Sequence, residues 1–438
     1  MPHNKNKPKV AASRRKFMKV TGILGSAPLL PGVLSPFPGG ATDGGSEGSV
    51  VPGDPQRSVI GRYGPWAASL ADDPPKLSMR GGHGKDVEAR RKAALAKTME
   101  LLSSPDIGGV PTVTVKARYT YDGLQVEELR WQLPYGRPTE AILLKPQGEK
   151  GPLPAILGLH DHGGNKYFGK RKITRTAEEQ HPLIAQHQED YYGGLAWANE
   201  MAREGYVVLV HDAYAFASRR VLYGDVSEIP WGHLKVAGKH DDNPEDPENI
   251  AAYNTWAAYH ESEMAKSLFC AGTTWPGVFL AEDRKALDVL SARNDVDADR
   301  IGCAGLSGGG LRTVYLGGVD PRIRCAVCVG FMSTWKDFLL YKSYTHTWMT
   351  YTPLLPNYLD FPEILGLRAP LPAMVLNNDE DPLFTPEEMS RADTILRAVY
   401  DKAGAGDHYA GRFYSGGHKF DAPMQQDAIG WFDRWLKP

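Results

Sequence analysis

The chain has 438 residues, 42% of them hydrophobic and 23% charged, enough to bury one large core or two modest ones. Its 50 Lys and Arg against 52 Asp and Glu leave a formal charge of -2, which gives no electrostatic reason to expect nucleic acid or an anionic membrane surface as a partner.

The N-terminus departs from that average. Ser13-Arg14-Arg15-Lys16-Phe17-Met18-Lys19 precedes the weakly apolar VTGILGSAPLLPGVL, the order of a signal peptide. The paired arginines followed by Phe17 resemble a twin-arginine export signal, with Met18 where Leu is commoner. That resemblance implies transient contact with the twin-arginine export machinery and a periplasmic or extracellular destination. The run from Pro31 to Gly53 is rich in Gly, Pro and Ser and reads as a linker, so residues 1–52 are expected to be signal and linker. Beyond them no stretch approaches the ~20 apolar residues of a membrane span.

Residues 53–110 are expected to form a helical extension, because DVEARRKAALAKTMELLS, 86–103, places Leu95, Met99 and Leu102 on one side of a helix. A catalytic domain is expected over 111–438. TVTVKARYTY, LQVEELRWQLP and TEAILLKP alternate and are split by Asp122-Gly123 and Tyr135-Gly136, which predicts antiparallel strands. The texture then changes to short apolar runs, PAILGLH, YVVLVHD, RIGCAG, CAVCVGF, PAMVLNN and RFYSGG, interleaved with helical patterns. Strand alternating with helix predicts an α/β protein with a mostly parallel sheet covered on both faces. Cys325 and Cys328 lie three apart in one of these strands, on opposite faces, and read as buried inert thiols rather than a metal or redox pair.

Two stretches are too long to be simple connections: about 213–259, and the aromatic-rich 332–368. The second is expected to cap the carboxyl ends of the strands, with Trp335, Tyr341 and Trp348 as candidate pocket residues.

Gly305-Leu306-Ser307-Gly308-Gly309 follows one apolar strand and opens a helical run, the setting a nucleophile elbow requires. Small residues on either side let the chain turn sharply, and the helix start aims free N–H groups at developing negative charge. A serine hydroxyl needs an imidazole to take its proton, and the imidazole needs an acid to hold its tautomer. In this order of elements both should follow Ser307 in loops after later strands. Asp381 is preferred over Asp379 as the acid because it stands beside Pro382 at the approach to the next helix. His418 is the base, with Gly416-Gly417 expected to leave its ring room. The loop His160-Asp161-His162-Gly163-Gly164 after an early strand should complete the oxyanion site. Its expected donor is the Gly164 N–H acting with Gly308, while His160, Asp161, His162 and Gly163 support the loop.

These motifs in this order resemble the α/β-hydrolase superfamily, and within it the dienelactone hydrolases and bacterial acetyl xylan esterases. HDHGG, ALDVLSARNDVDADRIGCAGLSGGG, VDPRI and SGGHKF carry the likeness, from about Pro111 to the C-terminus. The resemblance implies Ser307 as nucleophile, Asp381 as acid, His418 as base, and Gly308 with Gly164 as oxyanion donors. It implies a cofactor-free, metal-free hydrolase of polysaccharide or small-molecule esters. Dienelactone hydrolases proper use cysteine as nucleophile, so their substrate is not carried over to a chain with Ser307.

Three other readings compete. A prolyl-oligopeptidase-like serine peptidase needs a propeller, and about 100 residues between linker and Pro154 cannot build several blades of ~40 residues. A TIM-barrel amidohydrolase would use His160 and His162 as metal ligands, but needs eight strand–helix repeats. A non-catalytic carbohydrate-binding relative would be expected to have lost a catalytic residue, and this chain retains the full set.

Overall fold

The computed structural model describes residues 58–80, 86–230, 232–241 and 245–438. The expected signal and linker, residues 1–52, lie outside the described residues.

A short helix α1, Gly64–Ala68, and a long one, α2, Asp86–Leu102, precede the sheet. Strands β1 (Thr114–Tyr121) and β2 (Leu124–Trp131) form a hairpin. Its turn places Asp122 and Gly123 at φ 49° and 74°, the pair of left-handed residues that matches the twist of two-residue hairpins. Strand β3 (Thr139–Pro146) continues the antiparallel pairing. Next come β4 (Leu153–Gly158), α3 (Pro182–Tyr192), α4 (Trp197–Arg203) and β5 (Val207–His211). Helices α5 (Pro247–Cys270) and α6 (Trp275–Ser291) lead to β6 (Val296–Leu306), α7 (Gly308–Val319) and β7 (Ile323–Val329). After the turns α8 (Trp335–Asp337) and α9 (Phe361–Gly366) the chain closes with β8 (Ala373–Asn378), α10 (Pro386–Lys402), β9 (Tyr409–Tyr414) and α11 (Ala422–Leu436).

The nine strands make one sheet in the order β1-β2-β3-β5-β4-β6-β7-β8-β9. Pairings through β3–β5 are antiparallel and the rest parallel, as the change of texture in the sequence implies. Central strands β5 and β8 are buried along their whole length, which is why they read as unbroken apolar runs. Edge strand β1 is mostly exposed and carries Lys116 and Arg118, charges that discourage pairing with another chain.

Each face of the sheet has its own core. One gathers Leu102, Phe279, Leu311 and Leu396 from α2, α6, α7 and α10; the other gathers Trp197, Met424 and Phe432 from α4 and α11. Cys328 belongs to the first and Cys325 to the second, the opposite facing that their spacing predicts. Both thiols are free, and burial pushes them far above the usual thiol range.

The first long insertion is only partly irregular. From Pro247 it is the N-terminal half of α5, capped by Asp246, whose side chain accepts from the N–H groups of Glu248 and Asn249. The sequence-derived limit at 259 therefore cuts a continuous helix, because His-, Asp- and Pro-rich text before it hid the start.

Candidate active site

After β4 the chain goes to β5 on one side of the sheet, then crosses to β6 on the other side of β4. Ligand crevices of open α/β sheets lie at the carboxyl ends of strands flanking such a switch point. Loops after β4, β6, β7, β8 and β9 converge there on a cavity of about 220 Å³, with Ser307 and His418 in its lining.

Ser307 stands between β6 and α7 with φ 57° and ψ -119°, a left-handed position a non-glycine residue adopts only when its surroundings force it. The forcing contacts are visible. A Cβ on Gly305 would lie 2.3 Å from the Leu159 carbonyl oxygen, and one on Gly309 2.0 Å from the same atom. Glycine at those two positions lets the elbow press against β4. The Ser307 N–H donates to Val329 O at 2.9 Å, which ties the elbow to β7.

His418 Nδ1 is 2.6 Å from Asp381 Oδ2. A carboxylate only accepts, so a proton sits on Nδ1, and in the neutral ring Nε2 is the acceptor. The other Asp381 oxygen accepts from Leu383 N–H at 2.9 Å, and the side chain is buried. His418 Nε2 is shut off from solvent and makes no hydrogen bond, to Ser307 or to any other described residue. Apo sites commonly leave this contact to be closed by substrate. Asp379 is elsewhere: it accepts from Gly416 N–H at 3.2 Å, bracing the His418 loop from outside. Room for the imidazole comes from Gly330, where a Cβ would sit 3.0 Å from His418 Cε1. Gly417 has nothing within 4 Å of such an atom, so the sequence-based explanation from Gly416-Gly417 is replaced by one from the end of β7.

The loop after β4 departs from expectation at one atom. Gly164 N–H donates to His162 Nδ1 at 3.1 Å, and Gly164 is not among the residues lining the cavity. His162 and Gly163 do line it, and a Cβ on Gly308 would lie 2.9 Å from the His162 nitrogen. The His162 nitrogen thus lies against Gly308, the first residue of α7, where helical N–H groups have no partner in the preceding turn. The sequence reading places His162 with the loop support and the donor on Gly164, because the glycines draw attention to themselves; in the structure it is His162 that lies against Gly308.

The side chains of this loop are fully engaged. His160 donates from Nδ1 to Asp161 O at 3.0 Å and accepts from Ala213 N–H on Nε2 at 3.1 Å. Burial, with Arg312 and Lys172 nearby, keeps it neutral by pulling its pKa well below the usual histidine range. Asp161 accepts from Tyr192 Oη at 2.6 Å and His187 Nε2 at 3.1 Å, with Lys172 Nζ 3.5 Å away. Burial opposes its charge, but His187 and Lys172 hold the carboxyl well below its usual range. His162 presents Nε2 to Glu261 Oε1 at 2.7 Å. With both nitrogens of His160 and His162 occupied in this way, and the sheet open rather than closed into a barrel, the amidohydrolase reading loses its ligands and its scaffold.

Glu261, in α5, was not singled out by sequence. It pairs with the buried Lys166 ammonium at 2.8 Å and accepts from Thr347 Oγ1 at 2.7 Å and Trp348 N–H at 3.2 Å. One carboxylate thereby joins the aromatic-rich insertion to the loop after β4. Of the three candidate pocket residues, Trp348 lines the cavity. Trp335 does not: its ring packs edge-on to Phe338 and Phe361 beside a separate cleft, and Tyr341 lies outside both. The cavity's further aromatic walls are Tyr191, Phe331 and Tyr344.

No family model matches the chain. A curated protein of Bacillus subtilis (strain 168), named "Putative hydrolase YtaP", is 29% identical over 314 residues, 71% of this chain and 88% of its own. Among solved structures, a "putative acetyl xylan esterase" from Bacteroides fragilis NCTC 9343 matches with a TM-score of 0.57 at 18% identity, covering 81% of this chain and 82% of that one. A CE15 glucuronoyl esterase from Teredinibacter turnerae T7901 matches with a TM-score of 0.53 at 16% identity, over 84% and 90%. The fold is that of the α/β hydrolases, with antiparallel strands on one edge of a mostly parallel sheet.

Proposed function

We propose that the protein is a serine-dependent carboxylic ester hydrolase that works through an acyl-enzyme on esters of a carbohydrate-type substrate. The observation that carries this reading is His418, held by Asp381 through Nδ1, its Nε2 without a hydrogen-bond partner among the described residues, lining the same cavity as Ser307. The described relatives add support through their names: an acetyl xylan esterase, a glucuronoyl esterase and a hydrolase.

In the first step His418 Nε2 takes the Ser307 hydroxyl proton as Oγ attacks the ester carbonyl. The oxyanion is received by the N–H groups of Gly308 and His162, the latter in place of Gly164. Collapse expels the alcohol, which leaves with the proton from His418. Water then gives a proton to His418 and attacks the acyl group, and the acid departs as Ser307 is restored. Asp381 keeps the imidazole in the productive tautomer throughout. The cavity of about 220 Å³ favours a small acyl group with part of a sugar ring, and Trp348 and Tyr344 offer flat faces for that ring. An N-terminal export signal belongs to the same proposal, since polysaccharide esters are met outside the cell.

The test is labelling with a fluorophosphonate probe, which reports an activated serine whatever the natural substrate. Wild type should label and Ser307→Ala should not, while both melt alike. Ester screening then begins with acetylated xylan and with methyl-esterified uronic acids. A folded wild type that resists the probe overturns the proposal.

A further inference from the structure

We propose that Lys172 is a positioning residue for this reaction: a buried cation that polarises the Asp161–His162 peptide group and so strengthens the His162 N–H as an oxyanion donor. The inference rests on the serine-esterase reading and goes beyond it by assigning a role to a side chain that never meets substrate.

Lys172 is fully buried at the end of a short turn, Lys170–Lys172, behind the loop after β4. Its Nζ donates to Asp161 O at 2.8 Å and to His162 O at 2.9 Å. In a trans peptide the C=O and N–H of one group point in opposite directions. The group whose oxygen faces Lys172 therefore carries its N–H, on His162, on the side away from Lys172; the His162 nitrogen lies against Gly308, and both residues line the cavity. Asp161 O also accepts from His160 Nδ1, so one carbonyl receives two donors and one of them is charged. A cation on the oxygen draws electron density from the nitrogen, and in a site closed to water such preorganised polarity acts at little reorganisation cost. The second carbonyl, His162 O, belongs to the peptide group whose N–H is that of Gly163, another cavity residue.

A lysine placed only to brace the loop would serve as well uncharged, since a neutral amine still has two hydrogens for two carbonyls. Charge is the difference, and it can be titrated. Burial draws the Lys172 ammonium down to about 8, while Asp161 beside it opposes the fall. The groups around it are accounted for. Asp161 is shared with His187 and Tyr192; Asp212 pairs with Lys170 at 2.9 Å; Lys166 pairs with Glu261; His160 is neutral; the Phe216 ring lies 5.1 Å from Nζ. Sign follows directly: the ammonium is present at pH 7 and lost as pH rises through 8.

The experiment is the pH dependence of kcat and KM on a soluble acetyl ester, for wild type and Lys172→Met, with active sites counted by fluorophosphonate. Wild type should lose kcat several-fold between pH 7 and 9, reversibly and with KM unchanged. Lys172→Met should have kcat lower at pH 7 by about tenfold to a hundredfold, below the full loss of an oxyanion donor, and no alkaline limb. A wild-type kcat that stays flat to pH 9 overturns the proposal without any variant. So does a Lys172→Met enzyme that keeps either the wild-type kcat or the wild-type alkaline limb. Ser307→Ala separates the two levels: if it is inactive while Lys172→Met is normal, only the role of Lys172 fails; if it remains active, the serine reading fails as well.

Discussion

Asp381 Oδ2 meets His418 Nδ1 at 2.6 Å, whereas the carboxylate of Asp379, two residues earlier, accepts from the Gly416 N–H. Two neighbouring carboxylates therefore have separable effects. Asp381→Asn turns an obligate acceptor into a group that also donates, which unsettles the tautomer, and kcat should fall by about 10⁴-fold, as in other triads. Asp379→Asn keeps an acceptor oxygen for Gly416 and should retain activity within a few-fold. Steady-state kinetics of the two variants decide it; the reverse ranking would move the acid to Asp379.

Gly330 and Gly417 form a second contrast. Gly330 has φ 56° and faces the His418 ring, so Gly330→Ala adds both backbone strain and a contact at 3.0 Å to Cε1. A shift of the imidazole by a fraction of an ångström should lower kcat by about tenfold or more. Gly417→Ala meets open space and should leave Tm and kcat close to wild type. Equal effects from the two substitutions would contradict the origin of the imidazole's space.

Much of the fold and of the candidate site is legible in the amino-acid sequence. The change from alternating to continuous apolar strands announces the change from antiparallel to parallel pairing, because burial on both faces removes the need for polar residues. Ser307 is legible through its glycines, and Asp381 and His418 through their places after late strands. What stays hidden depends on contacts distant in sequence. Gly330 makes room for a ring 88 positions away in the chain, the His162 nitrogen lies against Gly308 across the sheet end, and Lys172 reaches back to two carbonyls of the loop after β4. Glu261 looks like an ordinary helix residue, since nothing near it in sequence shows that Lys166, His162 and Thr347 converge on it.

That convergence predicts a coupling. Glu261→Gln leaves the buried Lys166 ammonium without its counter-charge, and breaking such a pair costs about 3 kcal/mol or more. Lys166 stands 4.5 Å over the Trp275 ring, a setting in which methionine packs well. The double variant Glu261→Gln with Lys166→Met should regain part of the lost stability: its amide oxygen still accepts from Thr347 and Trp348, while the contact of His162 Nε2 with the former Oε1 stays lost in the single Glu261→Gln and in the double alike. Denaturant titration of both singles and the double gives the coupling. Additive losses would mean that the pair contributes nothing.

Asp360 supplies a pH prediction of opposite sign to the usual carboxylate. It caps α9, accepting from Phe361 N–H at 2.8 Å and Trp335 N–H at 3.0 Å, yet burial pushes its pKa up to about 6 from a model-compound value of 3.8. Between those two values the folded state holds a proton that the unfolded state has released. The group's contribution is therefore greatest in acid and declines as pH rises through 6, by on the order of 2–3 kcal/mol in total. Asp360→Asn keeps the accepting oxygen and removes the charge, and Asn is as good an N-cap as Asp. Its Tm should exceed that of wild type at pH 7.5, and the difference should shrink as pH falls through 6 and close below 3.8. A variant less stable than wild type at pH 7.5 would show that the charged carboxylate, through Arg80, outweighs the cost of its burial.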